Sequence, residues 1–451
     1  MKKDTFIFLF LFFAFFCTAI LVSVARIVTD SIDSPVNLEG LVLEMSQRKE
    51  EGPVFLKLFD DVKKEFIAYK KDFLEANLAE MKIRLYEGGV LEKEVSILAK
   101  GNPRTWGGSA VGLCQIISEN RVGYSNTTGV YMPYALNYYG MYYLHGEPYY
   151  PWGAKLVSLY SGGCLRFKNK DAKTIYEFVE VGMPVLVIDK NRDTYEYLVE
   201  EPTEVPKTSA QSYLVADLDS GFVFAEKDSK KQLPLASITK LMTATVVAEN
   251  VGFIDPILVR EEMLEAYGST DGLEQGKWFK VVELLYPLLI ESSNDAAEVL
   301  SYFLGREKTV GLMNEKTRAI LMKNTEFVDP SGFDPKNVST AQDLFYLARY
   351  VLNNRFPFLR ISRGEEIYSF GSVDFEIENL WNKNIFIEDP TFVGGKAGYV
   401  SASKNTALFI FRLTTEDGKE RNIAIILLGS ENSKADTQRI YIWLQKNYFK
   451  E

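Results

Sequence analysis

Ser237 and Lys240 lie one helical turn apart in Leu233-Pro-Leu-Ala-Ser-Ile-Thr-Lys-Leu-Met242, at the start of an apolar run of helical period. That spacing sets a hydroxyl beside an amine on one face. A serine hydroxyl becomes a nucleophile when a neighbouring base takes its proton, and a lysine whose pKa is lowered by desolvation can be that base. Taken alone, the pair also fits an ordinary surface helix. Two later stretches bear on it. Ser292-Ser-Asn294 ends an apolar helix and introduces Asp295-Ala-Ala-Glu298, so a loop presents a hydroxyl and an amide together. Gly394-Gly-Lys-Ala-Gly-Tyr399 precedes an expected strand, with glycines that let a backbone approach a ligand. Singly, these read as a helix cap and a hairpin turn. A second centre is Ser161-Gly-Gly-Cys-Leu-Arg166, where Cys164 on a glycine-flanked turn can be exposed and held as a thiolate by a nearby imidazole and guanidinium. The single histidine, His145, lies about a strand and a turn upstream, before Gly146. The plainer alternative is a buried structural cysteine and an unrelated histidine.

The elements that must position these residues fall in two groups. Residues 54–78 carry Phe55, Leu58, Phe66, Tyr69 and Phe73 among lysines and acids and predict an amphipathic helix. Residues 81–86 and 90–99 predict a hairpin around Glu87-Gly88-Gly89, opening a β-rich, tyrosine-rich region that runs to about residue 188. The polar stretch 190–211, with Pro202 and Pro206, predicts an exposed linker. Beyond it, strands at 213–218 and 222–225 precede helices at 281–290, 296–304, 310–322 and 341–352. Strands at 406–413 and 423–428 and a helix at 435–448 close the chain. Strands at both ends can share a sheet only if the ends meet, giving an α/β sandwich with a helical insert.

The 451 residues, 47% hydrophobic and 25% charged, suit two or three globular domains. A net charge of -10 without a basic run speaks against nucleic acid as a partner. Three cysteines without regular Cys/His spacing exclude a disulfide framework and a structural zinc site, and no metal or cofactor is expected. Lys2-Lys3 precede an apolar run over residues 6–24, the length of a bilayer-spanning helix, with the basic end held inside. This predicts an uncleaved single-pass anchor, with Cys17 facing lipid, although Ser23-Val24-Ala25 resembles a cleavage site. The expected plan is a tip and anchor at 1–28, a spacer and helix at 29–78, a β-rich domain at 79–189, a linker at 190–211 and a second domain at 212–451.

Residues 82–188 resemble an L,D-transpeptidase catalytic domain through Arg84-Leu-Tyr-Glu-Gly-Gly89, Trp106-Gly-Gly-Ser109, His145-Gly146, Ser161-Gly-Gly-Cys-Leu-Arg166 and Asn169-Lys-Asp-Ala-Lys-Thr-Ile-Tyr176. The resemblance implies Cys164 as nucleophile, His145 as its base, and Ser161 and Arg166 as supports for the site or substrate. Gly162 departs from the family, which carries histidine there; Cys114 has no assigned role.

Residues 210–450 resemble the serine-type D-alanyl-D-alanine carboxypeptidases, the low-molecular-mass penicillin-binding proteins, through Ser237-Ile-Thr-Lys240, Ser292-Ser-Asn294, Met322-Lys-Asn-Thr-Glu-Phe-Val-Asp-Pro-Ser-Gly332, Ser339-Thr-Ala341 and Lys396-Ala-Gly398. The resemblance implies that Ser237 attacks the carbonyl between two terminal D-alanines, with Lys240 as base. Ser292 and Asn294 would relay a proton and hold the substrate amide. Lys396 would meet the terminal carboxylate and help to keep Lys240 deprotonated. The strand with Gly398 and Tyr399 would close an oxyanion site between the backbone N–H groups of Ser237 and Tyr399. Ala397 departs from the family's Thr or Ser. Implied partners are peptidoglycan stem peptides and β-lactams, at the outer face of a bacterial cell membrane. A wall-binding protein with decayed sites is one alternative. A β-lactamase is another, but no glutamate between Asn294 and Lys396 is a convincing activator of a deacylating water.

Overall fold

Lys70 adopts the left-handed conformation, with φ 52°, two residues after helix α1 (Leu58–Ala68), and turns the chain into strand β1 (Phe73–Asn77). The helix expected over 54–78 therefore ends early. β1 is buried on both faces, and a strand without polar alternation cannot be told from a helix by pattern alone. A computed structural model describes residues 58–189, 193–197, 202–264, 273–367 and 376–450. The apolar run at 6–24 lies outside these. Among the described residues no helix is long and apolar enough to cross a membrane.

The expected hairpin forms as β2 (Lys82–Glu87) and β3 (Val90–Ser96). Then come β4 (Gly112–Gln115), β5 (Ser118–Ser125), β6 (Val130–Tyr139), β7 (Tyr142–His145), β8 (Leu165–Arg166), helix α2 (Asn169–Phe178) and β9 (Pro184–Ile188). They build two sheets, ordered β3-β2-β1-β9-β4 and β5-β6-β7-β8. β1 pairs β9 in parallel at the centre of the first, so the β-rich unit includes residues assigned above to the spacer. Cys114 is a core residue of β4, its thiol pushed up to about 12 by burial.

In the second half, β10 (Ser212–Asp217) and β11 (Val223–Lys227) lead into helices α3 (Thr239–Asn250), α4 (Val281–Tyr286), α5 (Asn294–Tyr302), α6 (Arg306–Ala319), α7 (Ala341–Asn354) and α8 (Phe356–Ser362). Strands β12 (Phe392–Val400), β13 (Lys404–Thr414) and β14 (Glu420–Ser430) and helix α9 (Ser433–Tyr448) follow. One antiparallel sheet runs β11-β10-β14-β13-β12. The first and last strands are neighbours, Tyr213 opposite Leu427, as the sandwich requires. Along β14 the period of two divides the faces: Ala424, Ile426 and Leu428 join the core under the helical insert, while Ile423, Ile425 and Leu427 meet Ile440, Trp443 and Leu444 of α9.

The stretch expected as an exposed linker packs down where it is described. Tyr197 meets Phe224 and Tyr448 edge-on, Trp443 Nε1 donates to the Thr203 carbonyl at 2.8 Å, and Ser209 bonds Asp436. Polar composition does not distinguish a free tether from a strap that satisfies its backbone on a neighbouring helix. The two halves also share apolar packing. Trp106 of the Gly-rich segment lies against Phe253 and Phe358, with ring centroids 4.9 and 6.5 Å away.

Candidate active sites

Ser237 sits in a single 3-10 turn, Ala236–Ile238, that feeds α3. Ala236 has φ 49°, and two glycines clamp the turn. A Cβ on Gly332 would lie 1.9 Å from the Ala236 carbonyl oxygen, and one on Gly398 would lie 2.5 Å from the Ser237 nitrogen. Only glycine admits such approach of β12 to the turn. Thr406, opposite Gly398 on β13, ties the same place by donating to the Leu235 carbonyl at 2.9 Å.

Lys240, wholly buried in the first turn of α3, has its Nζ 3.0 Å from Ser237 Oγ, 2.7 Å from Asn294 Oδ1 and 2.6 Å from the Ser331 carbonyl. Burial lowers its pKa to about 7, against the opposing pull of Asp329 and Glu298. A neutral amine has two N–H groups and a lone pair. With both N–H groups engaged by Asn294 and Ser331, the lone pair faces the Ser237 hydroxyl, the geometry of a general base.

Asn294 opens α5, whose N-terminus Ser293 caps by accepting from Ala296 N at 3.0 Å. The π-turn Pro287–Glu291 before it leaves Ser292 half-buried at φ 67°, a conformation uncommon outside glycine. The Ser331 carbonyl is an acceptor to which sequence reasoning gave no role. Its loop is organised by Asp329, which accepts from the amides of Ser331 and Gly332, each at 2.6 Å, and of Asp334 at 2.8 Å. The Asp-Pro-Ser-Gly order, a turn signature, was the available signal.

Lys396 lies within β12, not before a strand, because Gly394 and Gly395 are themselves strand residues. It is buried, with Nζ 2.9 Å from the Ala397 carbonyl, and is held well below the usual lysine range by burial, then by Lys240 and Lys383. Burial is the larger cause for both amines, and the repulsion between Lys240 and Lys396 adds to it. Ala397 is half-buried and Tyr399 exposed on the same strand.

At the second centre, β7 and β8 pair in parallel, with Leu144 opposite Leu165 and His145 opposite Arg166, so Cys164 falls beside Tyr143. His145 is buried, and its Nδ1 donates to the Gly146 carbonyl at 2.6 Å, which leaves Nε2 as the basic nitrogen. Burial lowers the imidazole to about 4 and pushes the half-buried Cys164 thiol up to about 11. The resting pair is therefore neutral thiol and neutral imidazole, not the thiolate expected from residue types. Among the described residues no hydrogen bond joins them. Ser161 is a turn-former: its hydroxyl donates to the Cys164 carbonyl at 2.5 Å and accepts from Gly163 N at 3.1 Å. Arg166 is buried and bonds Ser158 Oγ at 3.1 Å.

An arrangement suited to acyl transfer by a serine and lysine, joined to a β domain bearing a cysteine, is the class these features define. The family model for D-alanyl-D-alanine carboxypeptidases matches residues 199–431, and that for the L,D-transpeptidase catalytic domain matches residues 71–187. D-alanyl-D-alanine carboxypeptidase DacB2 of Mycobacterium tuberculosis is 31% identical over 206 residues, 45% of this chain and 70% of that one. A D-alanyl-D-alanine endopeptidase of Haemophilus influenzae is 32% identical over 233 residues, 50% and 77% of the two chains. The crystal structure of D-alanyl-D-alanine carboxypeptidase from Mycobacterium tuberculosis H37Rv is 27% identical with a TM-score of 0.47, covering 55% of this chain and 95% of that one. The chain belongs to the D-alanyl-D-alanine carboxypeptidase family and carries an L,D-transpeptidase catalytic domain ahead of that region. It is an enzyme of peptidoglycan modification.

Proposed function

We propose that the C-terminal half is a D,D-carboxypeptidase that trims pentapeptide stems through an acyl-enzyme on Ser237. The observation that carries this is the buried Lys240 amine, its pKa lowered to about 7 by burial, with Ser237 Oγ at 3.0 Å, Asn294 Oδ1 at 2.7 Å and the Ser331 carbonyl at 2.6 Å from its Nζ. Ser237 Oγ attacks the carbonyl of the penultimate D-alanine as its proton passes to Lys240. The terminal D-alanine leaves as an amine that takes up a proton, and water then releases the tetrapeptide. Ser292 would relay the proton, Lys396 would meet the substrate carboxylate, and the amides of Ser237 and Tyr399 would hold the oxyanion. β-Lactams would acylate the same serine.

The Cys164 half would take the tetrapeptide as acyl donor. A thioester forms as a D-alanine departs, and an amine of a neighbouring stem receives the acyl group in a 3-3 cross-link. The first site would thus make the substrate of the second, and placing both in one chain raises the local concentration of the intermediate. Residues 6–24 would anchor both outside a bacterial cell membrane. Incubation with a defined pentapeptide stem, read by mass spectrometry, tests the scheme. Wild type is expected to give tetrapeptide and then 3-3 cross-links, Cys164→Ala only tetrapeptide, and Ser237→Ala neither. Cross-linking that persists in Ser237→Ala with pentapeptide alone would sink the coupling.

A further inference from the structure

A buried ionic cluster lies where the two halves meet, unused by either reaction above. Glu249, in the last turn of α3, pairs with Arg355 Nη2 at 2.8 Å and Lys316 Nζ at 3.0 Å, and accepts from the Tyr350 hydroxyl. Lys316 also lies over the rings of Tyr350 and Tyr139, 3.9 and 4.5 Å from their centroids. Isolated charges this deep would be costly, and the pairing with Glu249 and the rings offsets that cost.

From Arg355 the contacts cross into the β-rich half. Nη1 donates to the Gly108 carbonyl at 2.6 Å and Nη2 to the Tyr142 hydroxyl at 2.7 Å. Both recipients wall in Gly163, the residue before Cys164. A Cβ on Gly163 would lie 2.1 Å from the Tyr142 ring and 3.2 Å from the Gly108 oxygen. A second connection runs in parallel. Met141 N donates to the Glu249 carbonyl at 3.0 Å, and the Met141 carbonyl faces Cys164 Sγ at 4.0 Å. Lys240 and Glu249 lie at opposite ends of α3, roughly 14 Å apart along its axis, so one helix backs both centres.

We propose that Arg355, oriented by Glu249, is a positioning residue for Cys164, supplied to the cysteine site by the carboxypeptidase half. Its planar fork holds the Gly108 carbonyl and the Tyr142 hydroxyl at once, which a lysine cannot do. The transpeptidase site is then complete only with the second half folded against it. The inference rests on reading Cys164 as the nucleophile.

The test uses the full chain, with Tyr142→Phe, which removes one hydroxyl, and Arg355→Lys, which keeps the cation but loses the fork. Alkylation of Cys164 by iodoacetamide is followed by peptide mass spectrometry from pH 6 to 10, and fluorescent-penicillin labelling of Ser237 checks that the fold is intact. A loosened turn admits water to the sulfur, so alkylation at pH 8 is expected to rise about tenfold in both variants. Cross-linking of supplied tetrapeptide should fall by about the same factor as the sulfur loses its place. Alkylation profiles of both variants superimposed on wild type would overturn the proposal, as would an Arg355→Lys that is silent in both assays. Should wild type itself form no cross-links, the reading of Cys164 as nucleophile fails, while the alkylation profiles still decide whether Arg355 positions it.

Discussion

Lys240 Nζ lies 3.0 Å from Ser237 Oγ, across one turn that begins as a 3-10 helix and continues as α3. Three contacts flank the pair: the Ser331 carbonyl and Asn294 Oδ1 at the amine, and the Gly398 backbone against the Ser237 nitrogen.

Acylation of Ser237 should rise with pH through about 7, because Lys240 must be neutral to accept a proton and burial brings its pKa to about 7. The rate of fluorescent-penicillin labelling between pH 5 and 9 checks this; a flat profile contradicts it. Lys240→Arg, charged throughout, should lose about 10²–10⁴-fold. In the unfolded chain Lys240 keeps its proton up to about 10.5, so between pH 7 and that value the unfolded state binds more protons. The cost of burying Lys240, measured against Lys240→Met by thermal unfolding, should therefore shrink as pH rises across that window.

Gly398→Ala should damage the serine site more than the fold. The added methyl meets the Ser237 nitrogen, which cannot move without moving the nucleophile. A stability loss of about 1–3 kcal/mol is expected, with penicillin labelling reduced by about 10²-fold. Calorimetry and labelling on one sample separate the two effects.

Ala397→Thr should strengthen recognition of a substrate carboxylate. Ala397 is half-buried on β12 between Lys396 and Gly398, and a hydroxyl there would add a hydrogen bond of about 1–1.5 kcal/mol, close to tenfold in kcat/KM for a D-Ala-D-Ala peptide. An unchanged kcat/KM would mean that the carboxylate is met elsewhere.

Adjacent glycines beside Cys164 should respond in opposite ways. A Cβ on Gly162 meets nothing within 4 Å, so Gly162→His, restoring the histidine of related transpeptidases, should fold normally and raise cross-linking. Gly163 has φ 121° with the Tyr142 ring against it, so Gly163→Ala should abolish cross-linking and lower the melting temperature. Equal melting temperatures for the two variants would contradict this.

Much of the serine site was legible because short-range spacing expresses it: Ser237 and Lys240 share a turn, Ser293 caps the helix that opens with Asn294, and the glycines of β12 mark a close approach. The hairpin at β2 and β3 and the meeting of β10 with β14 follow from local pattern and chain ends in the same way. Tertiary structure alone decided what depends on surroundings. Phe73 to Asn77 became a central strand because sheet partners stand on both sides, and Tyr197 and Thr203 are packed down because α9 offers each a partner. Residue types at Cys164 and His145 suggested an ion pair, yet burial made both neutral, since desolvation disfavours charge and is a property of the finished fold. Arg355 lies 191 positions beyond Cys164 in the chain. No local period could connect them; only the docking of the two halves brings that guanidinium to the walls of the cysteine turn.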